Sequence, residues 1–92
     1  MSKLVLLKDL DENALRAALS IDDSAIVLLQ DAVHMARESP QVKEALKNHT
    51  IYFLGGDAAK RGLHPEALEG LLILGYDELV ELMFSGVEVM NL

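Results

Sequence analysis

Four short apolar runs recur along the chain: KLVLLK (3–8), AIVLL (25–29), TIYFL (50–54) and LLIL (71–74). Each has the length of a strand and is too short for a helix, and β-branched or aromatic residues recur in them. They are almost continuously apolar instead of alternating, which a parallel strand buried on both faces requires. VEVM (87–90) reads as a weaker fifth strand. Between the runs lie helical patterns of one to three turns. This βαβ alternation predicts an α/β fold: a three-layer, doubly wound, mainly parallel sheet of about five strands, flavodoxin-like. Strand order is not encoded in the pattern, and the expected arrangement places strand one centrally. One domain over residues 1–92 is the natural count.

The helical segments follow from local signals. Asp9 with Glu12 resembles a capping box, followed by Leu10, Ala14, Leu15, Ala18 and Leu19 at helical spacing. Asp31 opens a second helix, which Pro40 interrupts. Ser39-Pro40 reads as an N-cap with Pro at the first helical position, starting a helix over 40–47. Asp57 starts a short helix ending near Gly62, and His64-Pro65-Glu66 starts another that ends at Gly70. Asp77 caps the last helix, which Gly86 stops.

Charge and cysteine count narrow the function classes. Eight Lys+Arg face fifteen Asp+Glu, a net charge of −7. The densest basic positions, Lys43, Lys47, Lys60 and Arg61, are diluted by acids, so direct nucleic-acid binding is not expected and a basic protein partner is favoured. There is no cysteine, hence no disulfide, thiolate zinc site or persulfide. No secretory-signal pattern and no membrane-length apolar run is present, which makes the cytoplasm the expected location. Hydrophobic residues make up 51% of the chain before its 6 glycines are added, whereas ordinary domains reach roughly 45–50% with glycine included. That surplus predicts apolar surface for a partner. It concentrates late in the chain, and Phe84 and Met90 are the expected subunit-interface residues.

In a parallel sheet, ligands meet the loops beyond the carboxyl ends of the strands. Those loops hold Lys8-Asp9, Gln30-Asp31, Gly55-Gly56-Asp57 and Gly75-Tyr76-Asp77, so an Asp follows each of the first four strands. Helix capping accounts for the row of Asp. An acidic metal pocket like that of phospho-receiver domains needs a second acid after strand one and a late Lys, and both are absent. Gly55-Gly56 lacks a Walker or dinucleotide spacing, and a tight turn explains the pair equally well. His34, His49 and His64 stand alone, without metal-ligand spacing, and no metal or other cofactor is expected. Ser20, Ser24 and Ser85 have no nucleophile context. No enzyme centre is read, although a pair such as His34 with Asp31 would be the place to test.

Two motifs resemble a known family. LLQDAV (28–33) is similar to the LLQDGV-like signature of DsrH and TusB proteins, and IYFLGGDAAKRGL (51–63) resembles that family's strand, loop Asp and following Arg-Gly. The late YDELVELM helix (76–83) fits as well. The resemblance, to DsrE/DsrF/DsrH-like proteins and closest to the DsrH/TusB branch, implies a small doubly wound oligomeric subunit. These proteins act in sulfur relay, for 2-thiolation of the tRNA wobble uridine or for dissimilatory sulfur oxidation. The DsrE or TusD chain carries sulfur on a cysteine after the third strand. Here that stretch is Leu54-Gly55-Gly56-Asp57, and the end of the first helix, where many DsrH members have cysteine, is Leu19-Ser20. The resemblance therefore implies a non-catalytic subunit whose partners are cysteine-bearing DsrE/DsrF-like relatives. It marks Gln30, Asp31, Asp57 and Arg61, beside Gly55 and Gly56, as a strand-end pocket. The alternative is a stand-alone homo-oligomer that binds a ligand or regulates through the same pocket.

Overall fold

The computed structural model describes residues 1–92, apart from the side chain of Ala67. The five expected strands are all present and all parallel: β1 (Lys3–Leu7), β2 (Ser24–Leu28), β3 (Thr50–Leu54), β4 (Leu72–Leu74) and β5 (Glu88–Asn91). In register, Leu7 lies beside Leu28, Leu28 beside Phe53 and Phe53 beside Ile73. The strand order is β4-β3-β2-β1-β5, which places β2 at the centre, correcting the expectation that strand one sits there. Three successive connections step the same way, and the fourth crosses the whole sheet to set β5 beside β1. Such pairing joins segments distant in sequence, so local alternation does not specify it.

Right-handed crossovers that step one way place their helices on one face, and a return step places its helix on the other. The layers are accordingly three but unequal. The first face carries α1 (Glu12–Leu19), a 3₁₀ segment (Gln30–His34) running into α2 (Met35–Glu38), α3 (Pro40–Ala45) and α4 (Gly55–Lys60). Its core holds Val5, Leu7, Ile26, Leu28, Ile51 and Phe53 beneath Leu15, Val33, Met35 and Val42, each 0–1% exposed. The opposite face carries α5 (Tyr76–Met83), which sets Leu79 over Leu4, Leu6, Ala25, Val27 and Leu74.

Several helix starts differ from the sequence reading. Asp11, not Asp9, caps α1, its carboxylate accepting from the N–H groups of Asn13 (2.9 Å) and Ala14 (3.2 Å). Glu12 is thereby free to reach across, accepting from the Ser39 hydroxyl (2.9 Å) and Gln41 Nε2 (2.7 Å) and so tying α1 to the start of α3. Ser39 is the N-cap residue of α3 with Pro40 following, as expected, but its buried hydroxyl serves Glu12 instead of its own helix. Asp77 does not cap α5; Glu78 Oε1 accepts from the Gly75 N–H (2.9 Å). The helix expected over 64–70 is only a 3₁₀ turn (Pro65–Ala67): Leu68 leaves helical geometry and Gly70 has φ +87°. That left-handed backbone favours glycine at Gly70, where an added Cβ would also crowd the tip of the Leu46 side chain.

Candidate functional site

Parallel pairing brings the carboxyl ends of the strands to one edge, and the two motifs of the sequence meet there. After β2 the chain turns sharply at Gln30, whose φ of +48° lies in the left-handed region. That conformation costs a non-glycine residue roughly 1–2 kcal/mol. The Asp57 carboxylate holds it, Oδ2 accepting from the Gln30 N–H at 2.6 Å. Ala32 N–H reaches the carbonyls of Leu29 (2.9 Å) and Lys8 (3.3 Å), joining the β1 and β2 loops. Arg61, on the turn after α4, donates from Nε to Asp31 Oδ1 (3.1 Å) and from Nη1 to the Asp57 carbonyl (3.2 Å).

Asp57 thus caps the 3₁₀ segment that begins at Gln30, not its own helix. The reason is where α4 starts: at Gly55, two residues before Asp57, so the carboxylate falls in the first turn, beside the β2 loop. Asp31 likewise pairs with Arg61 instead of capping the segment that it opens. The pair is a surface one, with Asp31 69% exposed, and is worth about 0–1 kcal/mol. A Cβ at Gly55 would lie 2.9 Å from Ile73 Cδ1, the tip of an exposed side chain that can shift, whereas Gly56 faces open space. Gln30, Asp31, Asp57 and Arg61 therefore form one hydrogen-bonded cluster, with Gly55 and Gly56 leading into it. His34 is half-buried at the end of the 3₁₀ segment, and the Asp31 carboxylate is already engaged by Arg61. Among the described residues, no three His, Asp or Glu side chains gather closely enough to hold a metal ion.

The two expected interface residues are placed apart. Phe84 follows α5 and is 85% exposed. Met90 in β5 is half-buried and packs against the core beneath α1 to α4. Two hollows lie away from the strand-end cluster. One of about 460 Å³ is at the amino ends of the strands, lined in part by Asp22, Asp23, Asn48 and His49. His49 bonds through Nε2 to the Leu19 carbonyl (3.1 Å), while its Nδ1 is buried without a partner among the described residues. No spacing signal in the sequence distinguishes His49 from the other two histidines. The second, about 550 Å³, is a groove between β4 and α5.

A family model described as DsrH like protein matches residues 8–87, which include both strand-end motifs and α5. The chain belongs to the DsrH-like family. Solved structures with the same fold include the ychN protein from E. coli, with a TM-score of 0.77, 21% identity and complete coverage of both chains. MTH1491, a protein of unknown function from Methanobacterium thermoautotrophicum, gives a TM-score of 0.76 at 15% identity, again over 100% of both chains. BT1422 from Bacteroides thetaiotaomicron, also of unknown function, gives 0.73 at 16% identity over 99% of this chain and 95% of that one. At these identities the likeness is one of fold. No protein with a curated description matches the chain. Its strand-end loops hold carboxylates, an amide and a guanidinium, but no thiol.

Proposed function

We propose that this DsrH-like chain is a non-catalytic subunit of a cytoplasmic sulfur-relay complex, serving either 2-thiolation of the tRNA wobble uridine or dissimilatory sulfur oxidation. One observation carries the reading: a chain of this family over residues 8–87 contains no cysteine. Sulfane sulfur is accepted by a nucleophilic thiolate. With none in the chain, the transferring thiol belongs to another subunit, a DsrE- or DsrF-like relative. The contribution of this chain is shape and support. Its strand-end cluster is held closed by Asp57 on the Gln30 N–H and Arg61 on Asp31, which keeps both family motifs in one fixed surface. Phe84, exposed beyond α5, is the residue we assign to a subunit contact, with Met90 supporting the adjoining edge strand.

The reading is tested by tagging the chain in its native cells and purifying it gently. Co-purification of cysteine-bearing DsrE/DsrF-like chains in fixed stoichiometry supports it. A homo-oligomer free of such relatives, with a melting point raised by phosphate or nucleotide, would instead favour a stand-alone ligand-binding protein.

A further inference from the structure

Charge is unevenly distributed along this chain. All eight Lys and Arg lie within residues 1–61, where nine acids accompany them. Residues 62–92 hold the remaining six acids, Glu66, Glu69, Asp77, Glu78, Glu81 and Glu88, and no Lys or Arg. The last third therefore carries nearly all of the net negative charge, and its acids are all exposed. This same third supplies β4 and α5, and the groove of about 550 Å³ between them. The floor of the groove is apolar, formed by Tyr52, Leu72, Leu74 and Leu82, and its rim carries Glu78 and Glu81. Leu72 and Ile73 are 51% and 54% exposed, an unusual state for aliphatic side chains in a strand.

The groove also lies at an open edge. β4 is the last strand of the sheet, with β3 as its one pairing neighbour among the described residues. Edge strands are ordinarily guarded by Lys, Pro or a bulge against further pairing. Leu72-Ile73-Leu74 carries neither Lys nor Pro and pairs with β3 in regular register, its short length being its one guard. Unpaired backbone groups therefore stand beside an apolar floor with an anionic rim.

We infer that this groove docks an extended segment of a partner protein that presents, on one face, two apolar residues at i and i+2 flanked at i−2 and i+4 by Lys or Arg. The segment adds as a strand to the free edge of β4 with that face toward α5, setting its apolar side chains beside Leu72 and Leu74 and its flanking cations toward Glu78 and Glu81. Charge selects this occupant. A second copy of the chain would bring acidic rim against acidic rim, and nucleic acids and anionic membranes are repelled by the same carboxylates. The inference does not depend on sulfur chemistry and goes beyond the sulfur-relay reading. A failed peptide titration leaves the co-purification result standing, and the reverse holds too.

The test is a fluorescence anisotropy titration of the full chain with the labelled peptide Lys-Thr-Val-Thr-Val-Thr-Lys, whose Val and Lys share one strand face, with Glu in place of both Lys as the control. Amide chemical shifts are recorded in parallel. The expected result is binding of the Lys peptide alone, weakened by salt, with the shifts centred on Leu72–Leu74 and the inner side of α5. Glu81→Lys weakens it about fivefold. Leu72→Glu is the sharper variant. It makes the chain more negative, so general charge attraction would strengthen binding, whereas groove occupancy weakens it about tenfold. Both positions are exposed, and an unchanged melting point shows that each variant is folded. Tighter binding by Leu72→Glu, shifts confined to another surface, equal binding of the two peptides or no binding of the Lys peptide would each overturn the proposal.

Discussion

The two faces of the sheet are built from similar strands and end in different states. Beneath α1 to α4, the side chains of Val5, Leu7, Ile26, Leu28, Ile51 and Phe53 are essentially sealed. Beneath α5, the inner strands are equally dry at Leu4, Ala25 and Val27, but cover runs out toward β4, where Leu72 is half exposed and Tyr52 only partly buried. The cause is topological. Three crossovers deliver helices to one face and a single return crossover delivers one eight-residue helix to the other. One face is completed by the chain itself, while the other has apolar surface and an open strand edge to spare.

The largest expected contrast comes from truncating one phenylalanine on each side. Phe53→Ala should destabilise the chain by about 3–5 kcal/mol, because it empties a site that its neighbours cannot fill. Phe84→Ala should change the stability of the isolated chain by less than about 0.5 kcal/mol, since that ring touches mainly water. Urea unfolding of both variants measures the difference. Comparable losses would mean that the α5 side is as closed as the other.

The strand-end cluster provides the next tests. Asp57→Ala removes the carboxylate that accepts from the Gln30 N–H and should cost about 1 kcal/mol, as loss of a helix cap does. Gln30→Gly should act in the opposite direction, stabilising by up to about 1 kcal/mol as the left-handed strain is relieved. Thermal melts of the two single variants and the double variant check this. If strain and clamp are coupled, Asp57→Ala should cost less in the Gln30→Gly background. The smallest effect belongs to Arg61→Ala, below about 1 kcal/mol and fading with added salt, as befits an exposed ion pair.

The strands were legible because burial on both faces leaves nearly continuous apolar runs, and their short length with β-branched and aromatic residues favours strand over helix. TIYFL at 50–54 is reproduced residue for residue as β3. Helix positions were nearly as legible, but their caps were not. Asp9 and Asp11 offer the same chemistry, and only the path out of β1 decides that Asp11 reaches the N–H groups of Asn13 and Ala14. The segment 64–70 carries a helix-start signal at His64-Pro65, yet Leu68 leaves helical geometry and Gly70 turns to φ +87°, so the turn closes early. At the site, the two motifs were visible separately. Their joining through Asp57 and Gln30, 27 residues apart, depends on β2 lying beside β3, a pairing that no local pattern records. Strand order and the unequal layers were hidden for the same reason.

The most direct measurement of this asymmetry is hydrogen–deuterium exchange of the isolated chain, resolved to individual amides. Completed regions open only with large free energies, whereas thinly covered edges open readily. Slow exchange is predicted along β1, β2 and β3, together with fast exchange along β4 and α5 that slows when the Lys-flanked peptide is added. Protection of β4 and α5 equal to that of β2 in the isolated chain would contradict it.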